Sequence, residues 1–279
     1  MKKIIWISSY PKSGNTWMRF FLSNYFYNKK KIESDFQIIN KIDKFPPYKL
    51  LQRHITEDEI DNNAFNISKY WHKIQSEITS TKEEFIFFKN HNALVSIEGR
   101  SLTDERFSLA FIYLVRDPRD VAVSYSNFLK KMDTDKLIQR MTSNNLHCRV
   151  SKKFPLDVEV LGSWKFNYIS WKNGVEKVPR IIIRYEDLIN STFDTKLKII
   201  KFLSNIINCN VDKDHIKFSI EQSEFKRLQR IEKNHKFQES SNKFFNKGSI
   251  GQWRNILSPN QVSKIENFCK SEMIELGYL

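Results

Sequence analysis

Cysteine is scarce, with three in 279 residues, at positions 148, 209 and 269. A widely spaced, odd set makes neither a disulfide framework nor a pair of metal ligands, and it suits a reducing compartment. Long apolar runs are missing as well. The run Ile4 to Ile7 is too short for the apolar centre of a signal peptide, and a proline and a loop follow it at once. No stretch approaches the length of a membrane span. Internal repeats and low-complexity linkers are absent. The expectation is a soluble cytoplasmic protein folded as one domain over residues 1–279. Acid is under-represented, with 32 Asp+Glu against 46 Lys+Arg and a net charge of +14. Such a surface attracts anions of many kinds. Yet the chain has no long Lys/Arg tract, no zinc-finger spacing and no aromatic RNA-binding signature, so no specific nucleic-acid partner is expected.

What is present is an alternation of strands and helices. The run at 3–9, KIIWISS, is apolar and β-branched and reads as a buried parallel strand; the stretch 15–27 follows as a helix. Residues 84–91, 108–117 and 179–188 read as further strands. Helices are expected at 118–132, with Pro118 in the first turn, and at 158–174, ended by Gly174. Two more are expected at 192–205 and near 259–275. Residues 28–82 carry no clear strand and read as helices and loops, one of them capped by Thr56 with Glu59 three residues on. Residues 133–156 read as an irregular insert. The pattern predicts an α/β fold, a three-layer sandwich with a central parallel sheet, whose ligands bind at the carboxyl ends of the strands.

The first strand runs into YPKSGNTW, residues 10–17. A nucleotide-binding P-loop reads G-x-x-x-x-G-K-[ST]. Here Asn15 stands where that lysine belongs, Ser9 where the first glycine belongs, and Lys12 comes three residues early. The backbone can still wrap a phosphate. Gly14 permits close approach, N–H groups at a helix start point at the anion, and Ser13 and Thr16 add hydroxyls. The competing reading is an ordinary strand-to-helix turn. A Mg-dependent P-loop enzyme would also need an acidic metal partner. Asp117 could be mistaken for one, but Arg116 sits beside it and Pro118 begins a helix there.

YPKSGNTW resembles the YPKSGTTW loop of the sulfotransferases that use 3′-phosphoadenosine 5′-phosphosulfate (PAPS), differing at one position. The resemblance gives the displaced lysine a meaning. In that family it contacts the 5′-phosphate and the oxygen bridging to the sulfuryl group, where charge grows as the S–O bond breaks. It implies that Lys12, Ser13, Gly14, Asn15, Thr16 and Trp17 cradle the 5′-phosphosulfate, with no metal. VRDPRDVAVSYSNF (115–128) is similar to the family's 3′-phosphate motif, RNPKDVAVSYYHF, with Arg116 and Ser124 at the matching positions. FNKGSIGQWRN (245–255) resembles RKGxxGxWKN, which places Lys247 and Gly248 over the 3′-phosphate; Asn246 replaces the usual arginine. FKNHN (88–92) resembles K-x-H-L-P, which makes His91 the catalytic base and Lys89 its companion, with Asn92 a departure. Of the six histidines, only His91 follows a strand at the presumed ligand edge. On the adenine side the resemblance points to Tyr185, Ser223 and Phe225, of which Tyr185 and Phe225 are equally readable as core packing, and to Trp71 as a loosely placed stacking partner. The family's dimerisation element is replaced by RNILSPNQV, with Ser258 and Pro259 for Thr and Val, which leaves the oligomeric state open.

The resulting expectation is sulfuryl transfer from PAPS to a hydroxyl or amine of a small-molecule acceptor, leaving adenosine 3′,5′-bisphosphate (PAP). The alternatives are a Mg-dependent kinase with a degenerate loop and a non-catalytic nucleotide- or nucleic-acid-binding protein. The acceptor pocket is expected from 28–82 and 133–156, with Phe36, Phe45, Tyr48, Phe65, Tyr70, Trp71, Met141 and Phe154 in them and Met132 just before the second. The acceptor itself is not legible.

Overall fold

A computed structural model describes residues 3–129, 132–151, 153–234 and 248–279. In chain order, β1 (Ile4–Ser9) leads through the phosphate-type loop to α1 (Asn15–Tyr27). A two-residue strand β2 (Asp43–Lys44) and short helices α2 (Tyr48–Leu51), α3 (Glu57–Asn62) and α4 (Trp71–Thr79) precede β3 (Ile86–Asn90). A small hairpin, β4 (Ser96–Ile97) and β5 (Arg100–Ser101), comes before β6 (Ser108–Val115) and α5 (Pro118–Leu129). Then follow α6 (Thr134–Met141), the antiparallel pair β7 (Cys148–Val150) and β8 (Val158–Val160), and α7 (Trp164–Asn173). The chain continues through β9 (Arg180–Arg184), α8 (Tyr185–Asn190), α9 (Thr192–Ile207), α10 (Lys213–Gln222), α11 (Phe225–Asn234) and α12 (Pro259–Glu275).

Five strands form one sheet in the order β2-β3-β1-β6-β9, and every pairing in it is parallel. Alternation along each strand divides the core into two layers, because successive side chains leave opposite faces. Ile5, Ile7, Phe87, Ile112 and Leu114 join the layer under α1, α9 and α10, with Trp17, Phe21, Ile199, Leu203 and Ile216. Ile4, Trp6, Phe88, Phe111 and Tyr113 join the other layer, with Trp71, Ile74, Val121, Trp164, Trp171 and Ile265. A parallel sheet covered on both faces is why its strands read as unbroken apolar runs.

Several expected elements need correction. Residues 28–82 contain a strand after all: Asp43 and Lys44 pair with Phe88 and Lys89. Residues 133–156 are not irregular. Asp133 caps α6 by accepting from the Asp135 and Lys136 N–H groups, and Cys148–Val150 pairs with Val158–Val160. The expected helix 158–174 therefore begins only at Trp164, where the Ser163 hydroxyl accepts from Phe166 N–H. The strand expected over 179–188 stops at Arg184, and Tyr185 opens a helix. By contrast the capping box of Thr56 and Glu59 is present, and Ser258 and Gln261 form a second one at the start of α12.

Candidate functional site

The carboxyl ends of adjacent strands converge on one region. β1 delivers the loop 10–14, β3 delivers Lys89 and His91, β6 delivers Arg116, and β9 delivers Tyr185. Strands β3 and β6 lie on opposite sides of β1, so β1 is the switch point at which such sheets open a crevice.

The loop is shaped by two left-handed residues, Lys12 with φ 69° and Gly14 with φ 96°. Gly14 is required there twice over. A side chain is strained at that φ, and its Cβ would stand 2.7 Å from the Tyr185 ring. The alternation of hands turns successive N–H groups inward in an anion-binding nest at the start of α1. The Ser13 hydroxyl is fully buried and has no hydrogen-bond partner among the described residues. A buried donor left this way needs a ligand or water. Asn15 is engaged elsewhere: its Nδ2 donates to the Ile7 carbonyl at 2.8 Å and to Ser9 Oγ at 3.3 Å. Any contact of Asn15 with a phosphate therefore comes from its backbone N–H. Thr16 is buried beside it, at the start of α1.

Arg116 ties the loop to the C-terminal segment. Its guanidinium donates to the Lys12 carbonyl at 3.1 Å and to the Ser249 carbonyl at 3.0 Å, and it lies 4.4 Å from the centroid of the Tyr185 ring. Its Nε is buried without a partner among the described residues. The Tyr185 hydroxyl donates to the Gly248 carbonyl at 3.2 Å. Gly248, with φ 63°, sits so close to Phe225 that a Cβ would meet the ring at 2.8 Å. The Trp17 indole donates to the Ser223 carbonyl at 2.7 Å. The structure thus brings Lys12, Gly14, Arg116, Tyr185 and Gly248 into one contact network, joined through Trp17, Ser223 and Phe225. Ser124 is half-buried two turns into α5, outside that network. Lys247 lies outside the described residues.

On the other flank, His91 Nδ1 stands 2.8 Å from the Ser9 carbonyl oxygen. A carbonyl only accepts, so Nδ1 carries the proton and Nε2 carries the lone pair. Burial, and then the neighbouring Lys89 charge, hold His91 well below the ordinary imidazole value. Burial, followed by the Arg116 charge, lowers Lys12 to about 8. The departure at Asn92 has a structural use: its side-chain oxygen accepts from the Val160 N–H at 2.7 Å and so docks β8 against the His91 turn.

Lys12, Lys89 and His91 line a cavity of about 670 Å³. Of the residues expected to shape the acceptor pocket, Tyr48, Met132 and Phe154 line it. Phe36, Phe45, Trp71 and Met141 are core residues instead, and the complete burial of Trp71 removes it as a stacking partner. Sequence reasoning missed the charged wall of this cavity, made by Lys44, Arg149 and Asp157. Behind them Glu159, fully buried, pairs with Lys44 at 2.8 Å and with Arg149. Lys44 also pairs with Asp157. Burial opposes ionisation of Glu159, yet Arg149 and Lys44 hold its carboxyl well below the usual range. The alternation in CRV and VEV was the available signal, since it places one charged residue per strand between apolar ones.

Asp117 is no free metal ligand: its carboxylate is bound by Arg119 at 2.7 Å. No group of three or more His, Cys, Asp or Glu that could hold a metal ion occurs among the described residues. No described helix is long and apolar enough to cross a membrane.

The chain belongs to the sulfotransferase family, whose sulfotransferase domain model matches residues 2–277. Among its relatives are cytosolic sulfotransferase 13 of Arabidopsis thaliana, 22% identical over 276 residues, covering 96% of this chain and 76% of that protein. Sulfotransferase 1B1 of Canis lupus familiaris is 25% identical over 284 residues, covering 96% and 82%. Among solved structures, a mouse sulfotransferase complexed with PAP matches with a TM-score of 0.59 at 16% identity, covering 98% of this chain and 84% of that one. Retinol dehydratase in complex with androsterone and PAP matches with a TM-score of 0.62 at 17% identity, covering 97% and 80%. These likenesses establish the shared sulfotransferase fold.

Proposed function

We propose that the protein transfers the sulfuryl group of PAPS to a hydroxyl or amine of a small-molecule acceptor, with His91 as general base and Lys12 at the leaving oxygen. The observation that carries this reading is that His91, its Nδ1 held by the Ser9 carbonyl, and Lys12 line one cavity. PAPS supplies the activated sulfuryl group. The residues present suit it: the nest at Lys12 and Gly14, the unsatisfied Ser13 hydroxyl and the unsatisfied Arg116 Nε ask for an anion with several acceptor oxygens. Lys12, Ser13, Gly14, Asn15, Thr16 and Trp17 would hold its 5′ end. Arg116, Ser124, Lys247 and Gly248 would hold the 3′-phosphate, with Tyr185, Ser223 and Phe225 on the nucleoside side.

In this scheme His91 Nε2 accepts the acceptor's proton as the new bond forms, while Nδ1 keeps its bond to Ser9 and fixes the ring. Lys12 offers a full cation where negative charge accumulates on the departing phosphate oxygen, a gain largest in the transition state. Lys89, buried beside His91, adds to that field and keeps the imidazole neutral before reaction. A cytoplasmic location is part of the same reading, supported by the cytosolic relatives.

The test is His91→Ala. Proton transfer by a positioned side chain contributes about 10²–10⁴-fold. Turnover is expected to fall by roughly that factor, with PAP binding by calorimetry unchanged. A variant as active as the wild type removes His91 from the base role, and wild-type protein that does not bind PAP removes the whole assignment.

A further inference from the structure

The cavity beside His91 is unlike a plain apolar pocket. Its lining includes Phe128, Met132 and the edge-to-face pair of Tyr48 and Phe154, whose ring centroids are 5.1 Å apart. The same lining carries Lys44 and Arg149. Their side chains keep 15% and 33% exposure, while Glu159 behind them has none. Glu159 pins the two cations in place without itself reaching the cavity surface.

Hydrogen-bonding capacity decides what such a lining can receive. The acids along the cavity are already engaged, since Asp157 binds Lys44 and Asp43 accepts the Lys44 backbone N–H at 2.7 Å. What remains is donor capacity. An ammonium has three donors; Lys44 gives one to Asp157 and forms an ion pair with Glu159. A guanidinium has five, and Arg149 is bonded to Glu159 and Tyr125. At the mouth, Arg140 and Lys153 are exposed and make no ion pair among the described residues. A wholly apolar acceptor would cover these donors and leave them unsatisfied, which is costly. A protonated amine would set a cation against cations and donors against donors.

We infer that the acceptor of this enzyme is a hydroxylated, compact apolar molecule that carries an anionic group, a carboxylate or its equivalent, held by Arg149 and Lys44 while its ring or chain lies along Tyr48, Phe128 and Phe154. The inference rests on the sulfuryl-transfer reading and adds the acceptor class to it. The reaction balances simply: the acceptor O–H loses its proton to His91, the oxygen gains the S–O bond, and the old S–O bond of the donor breaks with its electron pair leaving on the phosphate. The anionic group takes no part in bond making and serves only to place the hydroxyl.

The test uses two phenols with the same body, 3-(4-hydroxyphenyl)propanoate and 4-propylphenol. PAP is titrated into the protein first by calorimetry, and each phenol is then titrated into the PAP-loaded protein. The carboxylate is expected to bind at least about tenfold more tightly, as charge-assisted hydrogen bonds to a guanidinium imply. The preference should shrink in Arg149→Met. Since that change takes from Glu159 one of its two cationic partners, the double variant Arg140→Ala with Lys153→Ala, at exposed positions, provides a second reading and should narrow the gap in the same sense. Equal affinities, a tighter neutral phenol, or no binding of either overturns the acceptor class alone. Absence of PAP binding in the first titration overturns the sulfuryl-transfer reading and this inference with it.

Discussion

His91 Nδ1 is 2.8 Å from the carbonyl oxygen of Ser9, the last residue of β1, so the strand that carries the phosphate-type loop also orients the imidazole. In the proposed mechanism two titrations bound activity. His91, held well below the ordinary imidazole value by burial and by Lys89, is already a free base at neutral pH. Lys12, lowered to about 8 by burial and Arg116, loses its charge as pH rises through that value. The pH profile of kcat/KM, which reports the free enzyme, is expected to be flat around neutrality. It should fall on the alkaline side near pH 8 and on the acid side only below the usual imidazole range. An acid limb centred near pH 7 would contradict the assignment of His91.

The segment after Gly248 depends on one buried carboxylate. Asp120, in the first turn of α5, accepts the Gly251 N–H at 2.6 Å and the Trp253 N–H at 3.1 Å. Arg119 next to it stacks on the Trp253 ring, 4.0 Å from the centroid. Asp120→Asn keeps the shape but turns one acceptor into a donor that faces an N–H. Hydrogen bonds to charged groups contribute about 1.5–3 kcal/mol, so PAP affinity by calorimetry should weaken about tenfold or more. An unchanged affinity would show that this segment does not take part in binding nucleotide.

Lys196 on α9 is buried with no acid as partner among the described residues: its Nζ donates to Ser223 Oγ at 3.3 Å and lies 4.8 Å from the centroids of both the Trp17 and Phe21 rings. Burial lowers it to about 7, against 10.5 in the unfolded chain. Between those values the unfolded chain holds the extra proton, so stability rises with pH, by up to about 1.4 kcal/mol per unit from this group. Lys196→Met is expected to melt higher than the wild type at pH 7 and to lose that slope. Thermal unfolding at pH 7, 8 and 9 checks it; a lower melting temperature with the slope intact would contradict the account.

Most of the sheet was legible because its strands, buried on both faces, are written as continuous apolar runs, and α1 followed directly from the loop chemistry. The phosphate-type loop, Arg116 and His91 were legible as local motifs at strand ends. The acceptor side was not. Asp43 and Lys44 form a strand only because β3 is there to pair with, a contact 45 residues away in the register of Lys44 with Lys89 that no local pattern encodes. Arg149 and Glu159 likewise gain meaning only once β7 and β8 pair and Asn92 docks β8. Trp71 shows the opposite failure, an aromatic side chain in the right segment that the core claims.

The most direct measurement is transfer of labelled sulfate from PAPS by wild-type protein and by Lys12→Met, both in excess chelator. Loss of a transition-state cation of this kind costs about 10²–10³-fold in turnover. The account predicts transfer by the wild type undiminished by chelator and a drop of that order in Lys12→Met, larger than any loss of PAP affinity. Transfer that requires a divalent ion, or a Lys12→Met enzyme that turns over at the wild-type rate, would contradict it.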